Sequence, residues 1–147
     1  MSADWVTSIR GQLIALDSAP LIYYIEENPR YLPLLDPFFI ALDEGAIRVV
    51  TSTMTLLEVL VRPLRQNDVR LAQRYRDILL DVPGLYTVAL SASIAEGAAR
   101  LRATHRIAPP DATQLATALS EGATVFLTND TRLPRLPNLR TIVLDEL

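Results

Sequence analysis

Four acids in this chain could do chemistry together: Asp17, Glu58, Asp111 and Asp130. Asp17 interrupts LIALDSAPLIYYI (13–25), with apolar runs on both sides. Glu58 lies between Leu56, Leu57, Val59 and Leu60 in TMTLLEVLV, so it is a poor candidate for open solvent. Asp111 follows Pro109-Pro110 directly, and Asp130 closes TVFLTND. Each has an ordinary structural explanation. Asp17-Ser18 can cap a helix, Asp111 suits a helix N-terminus, Asn129-Asp130 is a common turn pair, and Glu58 can pair with Arg62 one helical turn on. Taken together they point further. Carboxylates crowded into one pocket raise one another's pKa unless a cation joins them. Donors that are all oxygen suit Mg²⁺ or Mn²⁺, and such a cluster activates water and steadies a phosphodiester during in-line displacement.

The elements that must position these acids alternate between strand and helix. Residues 12–16 form a short apolar run that predicts a buried strand. Ser18 and Pro20 start a helix over 21–26, which Asn28-Pro29 stops. PLLDPFFIAL (33–42) predicts a second helix ending near Gly45, and IRVVT (47–51) a β-branched strand. Helices follow over 53–64 and 67–80, the latter with Val69, Leu71, Tyr75, Ile78 and Leu79 as candidates for its buried side. A Pro83-Gly84 turn leads to a strand over 85–90, then a serine-capped helix over 91–105. After the interruption at Pro109-Pro110 come a helix over 111–119, a strand over 124–127 and a last strand over 141–144. This alternation predicts an α/β, three-layer α/β/α fold around a mostly parallel sheet of four or five strands, with 1–147 as a single domain. In such a sheet, ligands bind outside the carboxyl ends of the strands. Asp17 follows the first strand directly and Asp130 comes shortly after the strand over 124–127, so both belong at that edge.

Composition narrows the chemistry. A chain of 147 residues, half of them hydrophobic, can build an ordinary core. With no cysteine, disulfides, zinc–thiolate sites and cysteine nucleophiles are excluded, and a reducing cytoplasm fits. No apolar run approaches the roughly 18 residues of a membrane span, and MSADWVTSIRG has no signal-peptide pattern. All 14 basic residues are arginines, and the net charge is −3. If the four acids hold a metal, thirteen acids remain against fourteen arginines, so phosphate binding near the site is compatible with the charge.

The ordered set LIALDSAPLIYYIEENPRY, TSTMTLLEVLVRPLR, PPDATQLATAL and VFLTNDTRL resembles the PIN-domain ribonucleases, especially the VapC-like toxins of prokaryotic toxin–antitoxin pairs. The resemblance implies a PIN-like fold and a metal-dependent endoribonuclease that leaves 3′-hydroxyl and 5′-phosphate ends. It implies catalytic roles for Asp17, Glu58, Asp111 and Asp130, with Asp17, Asp111 and Asp130 holding Mg²⁺ or Mn²⁺ and Glu58 as ligand or base. Ser18 stands at the family's site-orienting hydroxyl, and Thr128 and Asn129 match the polar residues around the last acid. Thr113-Gln114 departs from the pattern, since related chains often carry more apolar residues there. Arg62, Arg102, Arg106 and Arg132 are candidates for a rim that binds RNA phosphates. Single-stranded or loop RNA is the expected substrate, and a homodimer and a cognate antitoxin are the expected partners.

Other chemistries fit less well. The only histidine, His105, sits at a predicted helix end and is a thin basis for metal-free acid–base catalysis. The chain has neither a G-x-S-x-G elbow nor a glycine-rich phosphate loop. A phosphatase-like enzyme with Asp17 as nucleophile usually needs an acid two residues on, where Ala19 stands, and a lysine, which is absent. The tyrosines are scattered and predict packing. The main competing expectation is a PIN-fold module that binds metal or RNA without turnover.

Overall fold

A computed structural model describes residues 4–147. The strands are β1 (Leu13–Leu16), β2 (Arg48–Ser52), β3 (Leu85–Val88), β4 (Val125–Thr128) and β5 (Arg140–Val143). They form one sheet in the order β3-β2-β1-β4-β5, with every neighbouring pair parallel. The helices are α1 (Asp4–Thr7), α2 (Ser18–Ile25), α3 (Leu32–Asp43), α4 (Thr53–Arg65), α5 (Val69–Asp81), α6 (Ala92–Thr104) and α7 (Pro109–Ser120), and a 3₁₀ turn spans Leu144–Glu146.

Alternation along each strand feeds two apolar layers. Ile14 and Leu16 pack with Leu21, Leu35, Phe38 and Tyr75 from α2, α3 and α5. Ala15, between them, faces the other side with Phe126 and with Leu115 and Ala118 of α7. All four residues of β4 are buried, as expected for a central parallel strand covered on both faces. α6 closes the second layer against α7 through Ile94, Ala98, Ala112 and Ala116. The result is the α/β/α arrangement expected, with five strands.

Several boundaries differ from the sequence expectation, each for a local reason. Pro109-Pro110 opens α7 at its first two positions, where missing N–H groups cost nothing, instead of interrupting the chain before it. β3 ends at Val88, before Ser91 caps α6 by accepting the Ile94 N–H at 3.1 Å. Val69 is 73% exposed, since α5 buries Ala72, Tyr75 and Leu79 and only its first turn carries Val69. α1 was not signalled by periodicity; Trp5 anchors it by stacking on Phe38 with ring centroids 5.7 Å apart. Gly84 needs its φ of 86° to bring the chain into β3 past Leu42.

From β1 the chain runs outward to β2 and β3, then crosses back to β4 and β5. The direction of winding reverses between β1 and β4, and a crevice opens above that point. Asp17 and Asp130 follow those two strands.

Candidate active site

Asp17 caps α2 and is also bound to the neighbouring strand. Its Oδ1 accepts the Ser18 N–H at 2.9 Å and its Oδ2 accepts the Thr128 hydroxyl at 2.7 Å. Its own N–H reaches the Leu127 carbonyl at 3.0 Å, extending the β1–β4 ladder by one residue. The side chain is therefore fixed at both oxygens, and the residue is only 8% exposed. Burial pushes its pKa above the ordinary carboxylate value, the Thr128 and Ser18 bonds pull it back, and the Asp130 charge raises it again.

Thr128 joins two of the acids. While donating to Asp17, its hydroxyl accepts the Asp130 N–H at 3.1 Å. Asp130 forms the turn expected of it, with Oδ1 accepting the Arg132 N–H at 2.9 Å. The Arg132 guanidinium grips the same carboxylate through Nε at 3.0 Å and Nη2 at 3.1 Å. That fork holds the Asp130 pKa below its ordinary value. Asn129 spends its amide on structure. Its oxygen accepts the Asp145 N–H at 2.9 Å, and its nitrogen donates to Tyr31 Oη at 3.1 Å and, more weakly, to Tyr23 Oη at 3.4 Å.

Asp111 sits at the third position of α7, behind the two prolines, and accepts no hydrogen bond among the described residues. Burial raises its pKa first, followed by the charges of Asp17 and Asp130, against the opposing pull of Arg132. Glu58 is more accessible than its apolar neighbours suggest, because Leu57, at 61% exposed, shares the open side of α4 with it. Its pKa is also raised, by partial desolvation and then by Asp17 and Asp111, while the Ser18 hydroxyl opposes the shift. The alternative Glu58–Arg62 pair does not form. Arg62 turns to Glu26 of the α2 C-terminus instead.

The four acids, from four separate elements, line one cleft of about 460 Å³, with Ser18, Tyr23 and Arg132 in its wall. An adjoining hollow of about 220 Å³ shares Asp111, Asp130 and Arg132 and extends to Arg106. Arg62 and Arg102 line neither; Arg102 donates instead to the Ile107 carbonyl at 3.0 Å. Tyr23 was missed as a cleft residue. It stands four residues after Ala19, one helical turn along α2 on the same face, and stacks on Tyr31 with centroids 4.2 Å apart. Among the described residues, no three acids are gathered tightly enough to enclose a cation by themselves. The donors are nonetheless all oxygen, and Mg²⁺ commonly binds through one or two carboxylates while keeping several waters, so the cleft fits such an ion.

The PIN-domain family pattern matches residues 14–139. The chain belongs to the PIN-domain family. This PIN domain also shares its fold with solved toxin–antitoxin structures. One is VapBC2 from Rickettsia felis bound to a DNA fragment from its promoter: 22% identity, TM-score 0.67, covering 89% of this chain and 98% of that one. A Klebsiella pneumoniae toxin–antitoxin complex gives 22% identity and a TM-score of 0.62, covering 86% and 94%. Mycobacterium tuberculosis VapC20, a toxin that cleaves the sarcin–ricin loop, gives 18% identity and a TM-score of 0.63, covering 77% and 86%. Among curated proteins, none matches this PIN domain in sequence. No described helix is long and apolar enough to cross a membrane.

Proposed function

We propose that this PIN domain is a metal-dependent endoribonuclease of the VapC toxin type, acting in the cytoplasm. The observation that carries the reading is the convergence of Asp17, Glu58, Asp111 and Asp130 on one cleft, with the pKa values of three of them raised partly by the others' charges. Asp17 and Asp111, with Asp130 beside them, would hold Mg²⁺ or Mn²⁺. When bound, the cation supplies Lewis acidity that activates water and offsets charge on the phosphodiester. Thr128 and Ser18 keep the Asp17 carboxylate in a single orientation. Glu58 serves as a further ligand or as the proton acceptor, a role its raised pKa suits. Arg132 and Arg106 flank the acids and give RNA phosphates a binding rim.

Two surfaces support partner binding. A hollow of about 250 Å³ lined by Tyr24, Phe39, Ile40, Leu42, Ile78 and Val82 suits an apolar segment of a cognate antitoxin. On α4, Leu57, Val61 and Leu64 are exposed at helical spacing, which favours a homodimer.

The decisive experiment incubates the purified chain with a structured RNA carrying single-stranded loops, in Mg²⁺, Mn²⁺ or EDTA, beside Asp17→Asn. Cleavage that needs metal and disappears in the variant is the expected result. Cleavage that survives EDTA or the substitution sinks the mechanism. Metal uptake with no cleavage of any RNA offered would favour the non-catalytic binding module.

A further inference from the structure

Gln114, on α7, lies beneath the cleft at the centre of a buried polar network. Gln114 is 3% exposed, Thr51 2%, and Ser52 and Thr55 0%. The Gln114 oxygen accepts the Ser52 hydroxyl at 2.8 Å, and its nitrogen donates to Thr55 Oγ1. Thr55 and Thr51 meet at 2.8 Å, and Thr51 Oγ1 donates to the Leu16 carbonyl at 2.8 Å. These contacts fix the direction of every proton. A carbonyl only accepts, so the Thr51 proton is committed to Leu16, and Thr55 must donate to Thr51. Thr55 then has to receive a proton, which only the amide nitrogen of Gln114 can give. With the amide turned over, the Thr55–Thr51 contact would have no proton to share.

Three members of this chain of bonds lie close in sequence to a cleft acid. Leu16 immediately precedes Asp17. Thr55 is one helical turn before Glu58 on α4, and Gln114 is one turn after Asp111 on α7. Ser52, which also caps α4 through the Met54 N–H at 3.1 Å, ends β2. We infer that Gln114 is a positioning residue: it holds the α7 turn carrying Asp111 in register with the α4 turn carrying Glu58 and with the β1 end carrying Asp17, and so sets the spacing of the cation-binding acids. An apolar residue at 114 could fill the same volume but could not fix that register, because dispersion contacts have no direction. The inference rests on the metal reading given above.

The test is Mn²⁺ uptake by the full-length purified chain, followed by the loss of the free Mn²⁺ electron paramagnetic resonance signal, with no RNA present. Gln114→Met keeps an unbranched side chain of similar size and removes both bonds. Thr55→Val breaks the next link and guards against misfolding of the first variant. Leu79→Ala, in the apolar core of α5, controls for general loss of stability. Removing a residue that orients metal ligands weakens binding by about 10–100-fold. The expected result is that loss in both network variants, with Leu79→Ala within about twofold of wild type. Wild-type affinity in Gln114→Met, or equal loss in all three variants, overturns the inference. A wild-type chain that takes up no Mn²⁺ overturns the metal reading itself and takes this inference with it.

Discussion

Thr128→Val tests the site's construction without needing its substrate. The substitution keeps shape and removes one hydroxyl that is completely buried, so no water can replace it. Two bonds are lost, the 2.7 Å bond to the Asp17 carboxylate and the 3.1 Å bond from the Asp130 N–H. A hydrogen bond to a charged group contributes about 1.5–3 kcal/mol and a neutral one about 1. The expected loss is therefore about 2.5–4 kcal/mol at pH 7, or roughly 5–15 °C in Tm for a chain of this size. Urea unfolding at a series of pH values checks the cause. Asp17 has a folded-state pKa above its unfolded value, near 3.8. Between those two values the folded chain binds more protons than the unfolded one, so this group's contribution to stability falls as pH rises through the window. Without the Thr128 bond, ionising Asp17 costs still more. The gap between variant and wild type should thus be widest at neutral pH and shrink toward about 1–2 kcal/mol as acid protonates Asp17. A gap under about 1 kcal/mol, or one that does not change with pH, would refute the claim that Thr128 serves the charge on Asp17.

The remaining expectations use the same purified chain. Mg²⁺ at about one hundred times its Kd stabilises by about 2.7 kcal/mol, so thermal melts should shift upward by roughly 5–10 °C and return to baseline with EDTA or in Asp111→Asn. Arg106→Ala should weaken RNA binding and flatten its salt dependence by about 0.7 in the log–log slope, whereas Arg62→Ala, whose guanidinium is already held by Glu26, should leave that slope unchanged in a filter-binding titration. Asn129→Leu should lower Tm by releasing the Asp145 N–H and the two tyrosine hydroxyls, while Mn²⁺ uptake stays near wild type; lost uptake at unchanged Tm would mean that Asn129 serves the cation directly.

What could be foreseen from sequence depends on how local each cause is. Asp17 and Asp130 could be placed at one edge because each comes within two residues of the end of an apolar strand, and parallel sheets expose their carboxyl ends together. The orientation of Glu58 was not legible in the same way. α4 is apolar on two sides, with Val59 buried and Leu57, Val61 and Leu64 exposed, so periodicity does not say which side faces the core. Its apparent partner, Arg62, follows local i,i+4 logic in sequence. In the fold it is claimed by Glu26, 36 residues away. Arg102 is likewise drawn to a backbone carbonyl that only the turn after α6 brings near. The role of Gln114 depends on three hydroxyls from β2 and α4 that no pattern within α7 reveals.

The same contrast explains why such a loaded cleft is compatible with a folded chain. Asp17, Glu58 and Asp111 all have raised pKa values, so at neutral pH their charges oppose folding when no cation is present. The acids are held together by groups that carry no counter-charge. Thr128 and the α2 N-terminus fix Asp17, a proline pair fixes the start of α7 at Asp111, and the Ser52–Gln114–Thr55–Thr51 network lies beneath. Only Asp130 has a guanidinium of its own, on the exposed rim, where a phosphate could compete for it. Had arginines neutralised all four acids, the fold would be more stable at neutral pH, but the cleft would have little reason to take up a divalent ion. Leaving three acids without a paired cation keeps the repulsion that a bound ion would relieve, and that relief is what the Mg²⁺ melting shift measures.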